Sequence, residues 1–231
     1  MSAIETRRRA AEVLRDLESR GSAANVAGMA RYGIQAVRAL GVCAPVLRAT
    51  AKALGRDHAL AEALWQTGVH EARAVACLVD DPVRVTRRQM ERWARDFDSW
   101  AVCDAACSIL FDKTPFAVMK AMEWSGCREE YVKRAGFVLM AALAVHDKQA
   151  PDALFLGFLP VIEREATDGR NFVRKAVNWA LRQIGKRNPV LSQAAVATAR
   201  VILLIDSPAA RWVANDALRE LENLPENRYK K

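Results

Sequence analysis

The chain has 231 residues, of which 52% are hydrophobic and 27% charged; this excludes a disordered polymer and allows one large core or a row of small stacked units. With only 11 Gly and 8 Pro, and Ala, Leu, Arg and Val dominant, helix is favoured over sheet, because such side chains lose little entropy in a helix. The formal charge of +8 at pH 7 favours a polyanionic partner (nucleic acid, membrane surface or acidic protein) without fixing the fold.

No segment is apolar for the roughly 20 residues a membrane span needs, and no apolar core follows Arg7, Arg8 and Arg9. A cytoplasmic location without membrane contact is therefore the expectation. The five cysteines are Cys43, Cys77, Cys103, Cys107 and Cys127. An odd count without a secretion signal points to buried reduced thiols rather than a disulfide framework. Cys103 and Cys107 stand one helical turn apart, but nothing nearby completes a zinc set, and Ala74 occupies the place a second zinc-protease histidine would take after His70-Glu71. No metal and no organic cofactor are expected.

Along the chain, Ser2-Ala3-Ile4-Glu5 has the form of a capping box. It opens an N-terminal capping helix within residues 1–24, expected to dock through Ile4, Ala11, Val13, Leu14 and Leu17. The stretch from Pro45 to Asp81 divides into three short helices, with breaks near Gly55 and Gly68. Pro45, Pro82, Pro115, Pro151, Pro189 and Pro225 then recur every 33 to 38 residues, the period of stacked helical hairpins. The first five are expected to mark helix starts, since Pro at the first helical position leaves no bond unmade; Pro160 and Pro208 lie off this register. Ser125-Gly126-Cys127, Asp168-Gly169-Arg170-Asn171 and Asp206-Ser207-Pro208 separate paired helices. In 171–187, Phe172, Val173, Ala176, Val177, Ala180, Leu181 and Ile184 form an apolar stripe, with Arg174, Lys175, Arg182, Lys186 and Arg187 largely off it. Residues 222–231 read as a frayed tail. The expected fold is a single all-α domain over residues 1–231, a right-handed α-solenoid of five or six hairpins with a concave basic face.

Three pieces carry chemistry. Trp100 and Asp104, four residues apart, share a helix face. Alone, the pair reads as a core indole beside a solvated carboxylate. Arg134 can grip a phosphate or a carboxylate, or be a surface cation. Trp179 sits among cations. They fall in successive proline-marked units, and in a solenoid equivalent positions of neighbouring units line one surface.

With these motifs on the page, the chain resembles the DNA alkylation repair enzymes built from HEAT-like repeats, the AlkD-like branch. The matching stretches are Leu64 to Arg73, Asp98-Ser99-Trp100 to Asp104, Val132-Lys133-Arg134-Ala135, and Asn171-Phe172-Val173 through Lys186-Arg187-Asn188, with a weaker match at Tyr32 and Leu40 to Arg48. Together they span roughly residues 25–220. The resemblance implies excision of N3- or N7-alkylated purines from duplex DNA by a monomer, without base flipping, in the sense that backbone and sugar are gripped instead. It implies that Trp100 and Trp179 pack against the sugar, that Asp104 is the catalytic carboxylate, that Arg134 supports it, and that Tyr32 lines the cleft. Lys133, Arg174, Lys175, Arg182, Lys186 and Arg187 are the expected phosphate contacts. Ala101 and the short spacer before Arg134 depart from the family pattern and bear on substrate range. The alternative is a non-catalytic HEAT-repeat scaffold.

Overall fold

The computed structural model describes residues 2–34 and 37–225; of the tail expected to fray, 222–231, residues 226–231 lie outside them. Among the described residues there are thirteen α-helices and no strand, and no helix is long and apolar enough to cross a membrane. The chain divides into two compact units, Met1–Thr114 and Pro115–Lys231.

The first unit carries α1 (Ala3–Ser19), α2 (Ala23–Arg31), α3 (Ala44–Leu54), α4 (His58–Gln66), α5 (His70–Val79), α6 (Arg87–Arg95) and α7 (Trp100–Ala105). A π-helical turn, Ala106–Leu110, and a 3₁₀ turn, Phe111–Lys113, follow α7. The three short helices expected between Pro45 and Asp81 are α3, α4 and α5. Gly55 and Gly68 separate them at φ 71° and 69°, a left-handed backbone that a side chain disfavours. Helix α1 lies on α4 and α5, α3 on α5, and α5 on α7 and the π turn.

Ser2 caps α1 by accepting the Glu5 N–H at 3.2 Å, but Glu5 turns its carboxylate to Arg8 at 2.8 Å, so only half of the capping box forms. The helix ends at Ser19, short of residue 24. It docks through Thr6, Ala10, Val13 and Leu17; Ile4 is 82% exposed and Ala11 is exposed too. Leu17 is four residues from Val13, which sets the docked face, and Ile4 and Ala11 fall outside it.

The second unit is regular. It comprises α8 (Ala117–Ser125), α9 (Glu130–His146), α10 (Asp152–Glu165), α11 (Asn171–Gly185), α12 (Pro189–Leu203) and α13 (Pro208–Leu221). Consecutive helices pair as α8–α9, α10–α11 and α12–α13. Helices α8, α10 and α12 touch along one side, and α9, α11 and α13 along the other. This is the two-layered stacking of HEAT-like repeats. Helix α9 is buried continuously from Arg134 to Ala144, as a helix flanked on several sides must be.

The proline register holds less well than its spacing implied. Pro189 opens α12 behind the Asn188 cap, and Pro45 is the second residue of α3. Pro151 is itself the capping residue of α10. Pro82 and Pro115 lie in turns ahead of helices that begin at Arg87 and Ala117. Asp81 accepts the Val83 N–H at 3.1 Å through its carboxylate and the Arg84 N–H at 2.9 Å through its carbonyl, a turn that needs no N–H from Pro82. Pro208, off the register, is a true helix start capped by Ser207. Pro160 lies inside α10.

Candidate nucleic-acid interface

In the first unit the segment before α7 is tied down on both flanks. Ser99 is fully buried and caps the helix by accepting the Val102 N–H at 3.5 Å. Asp98 pairs with Arg73 at 3.3 Å, and Arg73 also donates to the Asp96 carbonyl at 2.9 Å and lies 5.3 Å over the Trp65 ring. Trp100 is therefore the first residue of a fixed helix. Its indole N–H donates to the Tyr32 carbonyl at 2.9 Å, while Tyr32 as a residue is 74% exposed.

Asp104 stands one turn further on and is half-buried, so the face shared by Trp100 and Asp104 meets solvent and is not core. The Ser108 hydroxyl donates to the Asp104 carbonyl at 2.6 Å where the backbone widens into the π turn, a feature that recurs beside functional sites. Cys103 and Cys107 point the other way, into the core. Burial, with the hydrogen bond to Cys103, pushes the Cys107 thiol well above its ordinary value. Cys77 is buried as expected, but Cys43 is exposed, because it caps the outer end of α3.

Glu71, whose role the sequence did not reveal, is 1% exposed. It accepts the N–H groups of Leu40 and Gly41 at 2.9 and 2.7 Å. Leu40 in turn accepts the Ser22 N–H at 2.8 Å, so the chain leaving α2 is stapled to the start of α5. Both oxygens of this buried carboxyl are satisfied by backbone donors.

In the second unit Arg134 is 6% exposed and donates to the Phe172 carbonyl at 2.6 Å, linking α9 to the start of α11. Trp179 is half-buried; with the Gln183 amide turned to the orientation its two donor neighbours require, its oxygen accepts from the Trp179 indole N–H at 3.0 Å and from Lys186 at 3.2 Å. The six expected phosphate contacts divide. Lys133 is held between Glu165 at 2.5 Å and Asp168 at 3.0 Å. Arg182 and Lys186 converge on Glu220, Lys186 at 2.6 Å. Arg187 donates to the carbonyls of Ala144, Asp147 and Ala150 and closes the end of α9. Arg174 lies 4.5 Å over the Trp212 ring, and Lys175 is exposed.

These pairs leave a mark on the acids. Burial alone would raise Asp168, but hydrogen bonds from Arg170 and Lys133 outweigh it and hold the carboxyl well below its usual range. Glu165 and Glu220 are lowered in the same way, against burial, by Lys133 with Arg164 and by Lys186 with Arg182. Among the described residues no group of three or more His, Cys, Asp or Glu could hold a metal ion.

Residues 13–221 match the family described as DNA alkylation repair enzyme. The chain belongs to that family. No curated protein matches the sequence. One solved structure covers 90% of this chain and 94% of its own, with a TM-score of 0.75 at 18% identity; it is described as belonging to a new family of proteins related to the HEAT-like repeat DNA glycosylases, with affinity for branched DNA structures. At that identity the likeness establishes a shared HEAT-like repeat fold, in agreement with the all-α expectation.

Proposed function

We propose that the protein is a DNA glycosylase that removes positively charged N3- and N7-alkylated purines from duplex DNA. The observation that carries this is the Trp100–Asp104 pair: an indole pinned to a backbone carbonyl and a carboxylate one turn away, both open to solvent, in a DNA alkylation repair family.

An alkylated purine carries a positive charge and leaves without protonation. The C1′–N bond breaks, its electron pair neutralises the base, and the sugar becomes cationic. A fixed carboxylate opposite that charge lowers the barrier and orients the water that adds to C1′. Indole faces stabilise the same cation through their π density. Asp104 and Trp100 have these roles, and the family resemblance gives Trp179 and Arg134 a part in the same reaction. No group is needed as a general acid, which restricts the substrate to bases that are already charged. Tyr32, Arg174 and Lys175 hold the backbone, since phosphate contacts supply most of the affinity.

The test is release of base from methylated duplex DNA, resolved by chromatography. Asp104→Asn keeps the size and one acceptor but loses the charge, so release falls by roughly two to three decades, about 3–4 kcal/mol, with DNA affinity retained. Trp100→Ala and Trp179→Ala each lose less, about 0.5–2 kcal/mol, and weaken affinity as well. Glu163→Gln, a distant carboxylate, is the silent control. Equal release by Asp104→Asn and the parent overturns the carboxylate's role. The alternative, a non-catalytic DNA-binding protein, is favoured by the branched-DNA affinity of the structural relative and is adopted if the parent releases no base.

A further inference from the structure

Helix α6 carries an arginine stripe that the Trp100–Asp104 site does not use. Between residues 84 and 95 the chain holds Arg84, Arg87, Arg88, Arg92 and Arg95 against a single acid, Glu91. The buried face of α6 is Gln89, Met90, Trp93 and Ala94. At 100° per residue, Arg88, Arg92 and Arg95 lie on the opposite side, and Arg84 precedes Arg88 by four residues in the exposed turn.

The stripe is held rigidly from below. Trp93 stacks on Trp65 with ring centres 3.9 Å apart and planes at 5°. Gln89 donates to Asp80 at 2.6 Å, and Arg92 to Glu62 of α4 at 2.6 Å. Arg87 pairs with Glu91 at 3.2 Å. Arg84, Arg88 and Arg95 are exposed, and their guanidiniums have no acidic partner among the described residues. Elsewhere many arginines do: Arg9, Arg73, Arg170, Arg182, Arg200 and Arg211 each meet a carboxylate. Three unneutralised cations on one stripe repel one another, and a polyanion relieves that repulsion.

The stripe and the candidate site are carried by different helices with different packing partners. Helix α6 packs on α4 through the two stacked indoles, whereas α7, which bears Trp100 and Asp104, packs on α5, the other helix of that hairpin. We infer that the α6 stripe is a second DNA-binding surface, which takes the phosphates of a duplex segment other than the one presented to Asp104.

The geometry suits duplex phosphates. Arg88 and Arg95 are about 10.5 Å apart along the helix axis, a span over which a duplex, with one charge per about 1.7 Å of its own axis, presents several phosphates. A membrane surface fits worse, because an interfacial helix needs an apolar face directed outward; the apolar side of α6 is inside the protein, and only Val83 in the preceding turn is exposed nearby.

The experiment uses the full-length protein and a short unmodified duplex, so it does not depend on base release. Stoichiometry is measured at low salt, and affinity over a salt series. The parent and Asp104→Asn are both expected to bind two duplexes per chain. The triple variant Arg84→Gln, Arg88→Gln, Arg95→Gln should bind one, losing a component whose log–log salt slope is about 2.7, three contacts at roughly 0.9 each. The control triple Arg7→Gln, Arg15→Gln, Lys52→Gln removes the same charge from exposed positions of α1 and α3 and should still bind two. Two duplexes on the stripe variant, or one on the parent, overturns the inference. So does capture of phosphatidylserine vesicles that is lost in the stripe variant while its duplex stoichiometry stays at two, since the surface would then be a membrane contact.

Discussion

In the first unit the two largest fully buried side chains, Trp65 and Trp93, stack as parallel indoles, edged by Phe97 at 6.2 Å and Phe111 at 6.0 Å. In the second unit two helices approach backbone to backbone: at Gly136 of α9 an added Cβ would overlap the backbone nitrogen of Ser125 and come within 2.9 Å of the Ala121 carbonyl. Helix length explains the difference. Helices α4 and α6 have nine residues each and bury few side chains, so large aromatics must supply the contact area. Helix α9 has seventeen and can use many small residues at close approach. The irregular unit carries the Trp100–Asp104 pair and the arginine stripe, whereas the regular unit ties most of its expected phosphate contacts to acids or carbonyls.

Removing the aromatic anchor is the severest way to test this contrast. Trp93→Ala should destabilise the first unit by about 3–5 kcal/mol through lost burial and the cavity left behind. Hydrogen exchange resolved to peptides of each unit checks it; equal loss of protection in both units would show that the two do not respond separately.

Gly136→Ala comes next, at about 1–3 kcal/mol, because the obstructing atoms are backbone and cannot rotate away. Gly185→Ala is milder: its nearest neighbours are the methyl ends of Leu221, at 2.7 and 2.9 Å, which can move. Denaturant midpoints for the two variants should fall in that order, and the reverse order would contradict the backbone-contact account.

Acid should separate the units further. His70 is depressed below 6.5 by burial, with Glu71 and Asp98 opposing and Arg73 assisting. A group whose folded pKa is lowered contributes stability above its unfolded pKa and loses it as pH falls toward the folded value. The first unit should therefore begin to weaken below pH 6.5. The lowered acids of the second unit, Asp168, Glu165 and Glu220, start from 3.8 and 4.5, so their contribution persists until about pH 4.5 and is lost below it. Exchange rates across a pH series give both onsets, and His70→Gln should remove the first. An unchanged first onset in that variant would mean another group is responsible.

The smallest expected effect is on the paired cations. Glu220→Gln should cost under about 1 kcal/mol while releasing Lys186 from its acid and leaving Arg182 only Asp216, at 3.8 Å. DNA affinity should rise, and the salt slope should steepen by up to about 0.9 for each cation that reaches a phosphate. An unchanged slope would identify these two residues as structural ties only.

The sequence by itself determined the helical class, the three short helices between Pro45 and Asp81, the turns pairing the helices of the second unit, and the buried stripe of α11. It also determined that Trp100 and Asp104 share a face, and the motifs that mark the family. All of these rest on local rules: a 3.6-residue period, a capping oxygen two or three residues from its N–H, a glycine where φ is positive. Tertiary structure alone decided which cations remain free. Lys133 meets Glu165, Lys186 meets Glu220, and Trp100 meets the carbonyl of Tyr32, 68 residues away. It also decided that Ile4 faces solvent, that Pro82 lies in a turn and that Glu71 staples the chain after α2. Such partners are joined by packing between distant helices, and no local period or propensity records which helix will be the neighbour.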